Sequence, residues 1–122
     1  MNSSVEIVEY KGKKILFSDY SGLGGAEFTQ VVQRHYEQHR AMFDNAGETF
    51  LFLTDVTNTF ADRETMKLFK KSITQNRPFI RKSAVVGVTG IQQVLLKSIN
   101  VFSSVDTRLF KTKEEALDWL AE

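Results

Sequence analysis

At 122 residues, with 42% hydrophobic and 25% charged residues, the chain has the size and make-up of one soluble domain spanning 1–122, and the absence of cysteine removes disulfides and thiolate ligands. A formal net charge of +1 gives no global attraction to nucleic acid, which is therefore not expected as a partner, and any electrostatic role must come from local clustering. No apolar run approaches the roughly 18 residues needed to span a bilayer, and Met1-Asn-Ser-Ser4 lacks the apolar core of a signal peptide, so a cytoplasmic location is the expectation.

In chain order, Val5 to Tyr10 alternates as a half-buried strand does, Lys11-Gly12-Lys13 has hairpin-turn length, and Lys14 to Asp19 reads as a second, antiparallel strand. Ser21 to Gly25 breaks regular structure. From Ala26 to about Asn45 the period becomes helical, with Phe28, Val31, Val32, Tyr36, Met42 and Phe43 on one stripe that His35 and His39 also share. Thr49 to Val56 carries the unalternating run Phe50-Leu-Phe-Leu53, the mark of a central strand covered on both faces. Asp62 is placed to cap a helix over Arg63 to Gln75 whose inner face is Met66, Phe69 and Ile73, and Asn76-Arg-Pro78 ends it. Ser83 to Val88 reads as a buried strand, Thr89-Gly90 as a turn, and Ile91 to Phe102 as a helix with Leu96 facing outward. A short strand, Thr107 to Phe110, precedes a capping box, Thr112-Lys-Glu-Glu115, and a last helix through Leu120. The order ββαβαβαβα predicts an α/β fold: a five-stranded mixed sheet, the first strand antiparallel and the rest parallel.

Three local patterns, Phe50-Leu-Phe-Leu-Thr-Asp55, Ser83-Ala-Val-Val-Gly-Val-Thr-Gly90 and Lys113-Glu-Glu-Ala-Leu-Asp-Trp-Leu120, together with the element order, resemble the SpoIIAA-like family, a branch related to STAS domains. A more distant likeness is to the lipid-carrying CRAL-TRIO fold. The resemblance implies a non-enzymatic module that binds protein partners, nucleotides or other ligands. Some anti-sigma-factor antagonists with this fold are switched by phosphorylation at an Asp-Ser-Ser-Gly-like motif. Here the aligned segment is Asp62-Arg-Glu-Thr65, which lacks both serines and the glycine and places Thr65 inside the first helical turn, so the phospho-switch is not expected.

Loops at the carboxyl ends of parallel strands form the usual ligand crevice of open α/β sheets, and they supply Asp19, Asp55, Thr57, Asn58, Asp62, Thr89 and Gly90 as candidate ligand-binding residues. The alternative is that these side chains satisfy only their own loops. His35 and His39, four apart, have a metal-like spacing, but with no cysteine and no placed third ligand, core histidines are the expectation and no metal or other cofactor is assigned. Between Arg63 and Lys82 there are seven basic residues against Glu64 alone. Lys67, Lys70, Lys71, Arg77, Phe79, Ile80, Arg81 and Lys82 are therefore candidates for an anionic-membrane or acidic-partner surface. Against this, Phe79 and Ile80 in a short connection are more often tucked under a sheet edge.

No nucleophile elbow, His–Cys pair or acid–base carboxylate pair is present, and no catalytic residue is assigned. The leading expectation is a regulatory or ligand-binding module with a protein, small-molecule or lipid partner. The alternative is a protein peripheral to the inner face of the membrane, binding lipid or a small apolar ligand. Sheet edges and the outward Leu96 make a homodimer a further expectation.

Overall fold

The computed structural model describes residues 4–46, 48–60, 62–88 and 107–122. Glu6–Tyr10 (β1) and Lys13–Asp19 (β2) pair antiparallel with Tyr10 opposite Lys13, leaving Lys11 and Gly12 as the whole loop. Both loop residues have positive φ, 49° and 80°, which gives the turn the twist that matches two right-twisted strands. Phe50–Asp55 (β3), Ile80–Val86 (β4) and Thr107–Phe110 (β5) then add in parallel, and the sheet order is β1-β2-β3-β4-β5. β3 is thus the middle strand. β1 is an edge, with Ile7 57% exposed.

The unbroken apolar run in β3 has two destinations. Leu51 and Leu53 join Ile15, Phe17, Ala84 and Val86 on one face, against Ala116, Trp119 and Leu120 of the last helix, Lys113–Ala121 (α3). Phe52 points to the other face with Leu16, where Phe43 of Gly25–Ala46 (α1) covers it. Further along that face, Val85 and Val56 meet Tyr20, Leu23, Phe28, Val31 and Val32. The helix Arg63–Asn76 (α2) lies beside α1 and seals this layer with Met66 and the half-buried Leu68 and Phe69. Alternating side chains on a strand covered on both sides require apolar residues at every position, which is why no period was visible.

Both predicted helix caps form. Asp62 accepts from the Thr65 amide at 2.8 Å, and Thr112 accepts from the Glu115 amide at 3.2 Å. The second departs from an ideal capping box: Glu115 accepts a bond from the Thr112 hydroxyl rather than reaching the backbone.

β4 differs most from expectation. It begins at Ile80, three residues before the predicted Ser83, and ends at Val86. A short 3-10 turn, Arg77–Phe79, carries Pro78 directly into the strand, and Ile80 pairs with Phe50 across an irregularity between Phe50 and Leu51. The expected helix over 91–102, the outward Leu96, and Thr89 and Gly90 lie outside the described residues. Among the described residues no helix is long and apolar enough to cross a membrane.

Candidate functional site

The parallel register sets Asp19 beside Asp55 at the carboxyl ends of β2 and β3. Each carboxylate clamps its own loop. Asp19 Oδ1 accepts from the Ser21 amide at 3.0 Å and the Ser21 hydroxyl at 2.6 Å, and Asp55 Oδ1 accepts from the Thr57 amide at 2.9 Å. The two loops are also laced to one another: the Tyr20 amide donates to Asp55 O and the Gly22 amide to Thr57 O, both at 2.9 Å. Asn58 takes a left-handed conformation, φ 55°, that asparagine tolerates better than most residues. Beneath it the buried Thr59 hydroxyl donates to Val56 O at 2.7 Å. The structure therefore brings Asp19, Asp55, Thr57 and Asn58 together, and uses the two carboxylates to fix backbone.

Asp62 is exposed and belongs to α2. Its Oδ1 also accepts the Thr65 hydroxyl at 2.9 Å, and these Thr65 bonds, the backbone one first, hold its pKa below the ordinary carboxylate value. Thr65 is fully buried, and its hydroxyl shares a 2.8 Å hydrogen bond with Thr29 on α1. A hydroxyl open to a kinase is not what this position offers.

Two residues here carry a role that sequence reasoning did not single out. Gly87, at φ +88°, lies so close to Thr57 that a Cβ would sit 2.1 Å from its Oγ1 and 2.7 Å from its backbone nitrogen. Phe60 is 81% exposed although its backbone is anchored: its amide donates to Leu23 O at 3.1 Å, and it bridges Gly24. A Cβ on Gly24 would press on Phe60 Cβ at 3.3 Å, so the missing side chain makes room for this approach. The available signal was one aromatic residue in the otherwise polar stretch Thr57-Asn-Thr-Phe60.

A SpoIIAA-like family model matches residues 21–121, which takes in both layers of helices and, apart from Asp19 and Tyr20, the crest formed by these loops. The chain belongs to the SpoIIAA-like family. Among solved structures, an uncharacterised protein of the DUF3478 family with a SpoIIAA-like fold, from Shewanella loihica PV-4, superposes with a TM-score of 0.66 at 20% identity, covering 95% of this chain and 91% of that one. An anti-sigma-factor antagonist (STAS) domain protein from Planctomyces limnophilus superposes with a TM-score of 0.62 at 15% identity, covering 98% and 99%. These likenesses are in fold. Among curated proteins none matches.

In this SpoIIAA-like chain the basic segment is divided. Arg63, Lys67, Lys70 and Lys71 are exposed on α2. Phe79 is half-buried and stacks on Phe43, with centroids 4.5 Å apart and planes 10° apart, while Arg40 lies over its ring; Ile80 packs into the same cluster. Arg77 and Arg81 are exposed beside them. Lys82 goes to the opposite face of the sheet, where Nζ donates to Trp119 O at 3.0 Å and sits 4.9 Å from the indole centroid. The segment thus offers surface charge without an exposed apolar anchor at Phe79 and Ile80.

His35 and His39 are both buried, as core histidines are. His35 lies against Tyr20, 4.9 Å between centroids, and His39 between Phe43 and Phe52. Burial, with His35 adding to it, pushes His39 down to about 4, so its imidazole is neutral near pH 7. Burial likewise raises the Tyr20 phenol. Among the described residues no three His, Asp or Glu side chains gather as metal ligands. A shallow groove of about 480 Å³ between α1 and α2 is lined by Thr29, Gln30, Gln33, Arg34, Glu37 and Leu68.

Proposed function

We propose that this chain is a non-enzymatic regulatory module that binds a protein partner with the loop Thr57–Phe60 and the start of α2. The observation that carries this reading is Phe60, an aromatic ring held out at 81% exposure on a backbone pinned to Leu23 and Gly24. A ring on a floating loop would lose ordering entropy on binding; a ring on a braced loop has already been ordered by folding. In this reading Asp19, Asp55, Thr57, Asn58 and Asp62 brace the platform rather than touch a small molecule, because Asp19, Asp55 and Asp62 already engage loop or helix groups. The fold of the STAS relative, itself described as an anti-sigma-factor antagonist, is in keeping with a regulatory role.

A photocrosslinking amino acid at position 60, introduced in cells, tests this. A discrete heavier adduct is expected from position 60 and none from the exposed Lys111 position, which follows the edge strand β5. Absence of an adduct at 60, with stabilisation of the purified chain by a small polar ligand that depends on Asp55, would replace the protein-binding reading with a ligand crevice.

A further inference from the structure

We infer that the partner's contacting segment is acidic and brings an apolar socket for Phe60, because this exposed aromatic comes just before a helix with an exposed basic stripe that enters no ion pair among the described residues. This deepens the protein-binding reading and rests on it. Phe60 precedes Arg63 by three residues, and at 100° per residue Arg63, Lys67, Lys70, Lys71 and Thr74 fall on one stripe of α2, all exposed. Glu64 is the lone acid of the helix and lies at the stripe's border. Among the described residues Arg63, Lys67 and Lys70 enter no ion pair, and Lys71 has only a ring contact, 6.0 Å from the Tyr36 centroid. The opposite side of α2 does all the packing: Thr65, Met66 and Asn76 are buried, and Leu68, Phe69 and Ile73 are half-buried. Apart from the Lys71 contact with Tyr36, the stripe therefore takes no part in packing.

Charge and apolar area serve different steps in such a contact. Exposed positive charges accelerate encounter with a negative surface and orient it, with an effect that salt screens. A buried aromatic anchor governs how long the complex lasts. A bare anionic polymer would use the stripe and ignore Phe60. A neutral apolar partner would do the reverse. The pairing of the two selects an acidic surface that has a cavity.

The test uses the full chain as bait for a phage library of short random peptides. Enriched peptides are expected to be net acidic with at least one large apolar residue. Their binding should weaken about tenfold or more in Phe60→Ala and in Lys67→Glu/Lys70→Glu/Lys71→Glu, each with unchanged circular dichroism and melting, and should weaken as salt rises. Lys111→Glu should leave it unchanged. Peptides that bind both variants as well as the parent overturn the acidic-socket inference and leave the protein-binding reading standing. Failure to enrich any peptide, together with no crosslink at position 60, overturns both. Phosphatidylcholine–phosphatidylserine vesicles form the remaining arm: Phe60- and lysine-dependent binding to them, without peptide binding, would overturn the inference in favour of a membrane surface.

Discussion

A methyl group on Gly87 would lie 2.1 Å from Thr57 Oγ1 and 2.7 Å from the Thr57 backbone, on a residue whose φ of +88° L side chains rarely adopt. Backbone strain of about 1–3 kcal/mol therefore adds to a clash that shortening Thr57 relieves only in part. Gly87→Ala is expected to lower the free energy of unfolding by roughly 3 kcal/mol or more in urea titrations, and Thr57→Gly to recover only a fraction of it. Full recovery would mean that the Thr57 side chain alone, not its backbone, sets the fit. Neither Gly87 nor Phe60 was legible as special in the chain. Gly87 sits in an apolar run, Val85-Val-Gly-Val88, that reads as strand whatever the glycine touches. Phe60 was unreadable because periodicity reports which side chains are buried inside elements and says nothing of a ring turned outward from a loop. The polar candidates were visible by type and place, since Asp and Thr after a strand suit both a ligand and a loop. Hydrogen-bond geometry favours the loop for Asp19 and Asp55.

The cap of α2 couples the crest to the basic stripe. Asp62 satisfies the Thr65 amide and hydroxyl, and Thr65 in turn ties α2 to Thr29 of α1. Asp62→Ala is expected to lower the melting temperature measurably, and Asp62→Asn, which still caps, much less. Equal losses in thermal melts would show that the negative charge rather than the accepted hydrogen bond matters. The carboxylate is exposed, and its depressed pKa means that the contribution holds above the ordinary value of 3.8 and fades as pH falls through the folded value below it. Both caps were legible because capping depends on one side chain and its own next turn. The start of β4 was not. Ile80-Arg-Lys82 lacks the apolar run of a buried strand, yet Ile80 finds Phe50, and Lys82 lays its stem across the sheet to reach the carboxyl end of α3. Long charged side chains can cover apolar surface in this way, and the sequence alone does not distinguish that from solvation.

The five-stranded mixed sheet, its one antiparallel pair at an edge and the burial of the central strand on both faces were legible in the chain, because strands alternating with helices admit few layered solutions; the full strand order came only with the structure. The same two-sided burial makes the molecule sensitive to acid at His39. His39 sits among Phe43 and Phe52 with a buried Nε2, and its folded pKa of about 4 lies below the ordinary 6.5. The unfolded chain takes up a proton there as pH falls from about 6.5, and the folded chain does so only near 4. Stability is therefore complete above 6.5, declines across that window by about 3 kcal/mol at most, and levels off below it. His39→Leu should flatten the unfolding free energy across the window; an unchanged slope would place the acid sensitivity elsewhere. Nitrogen-15 chemical-shift mapping of the whole chain, titrated with an acidic, apolar-containing peptide selected on it, locates the contact surface. Perturbations should concentrate at Phe60, Arg63, Lys67 and Lys70 and be abolished by Phe60→Ala. Perturbations centred instead on Lys82, Arg108 and Trp119, or on Gln30 and Gln33 in the interhelical groove, would contradict a contact through Phe60 and the basic stripe.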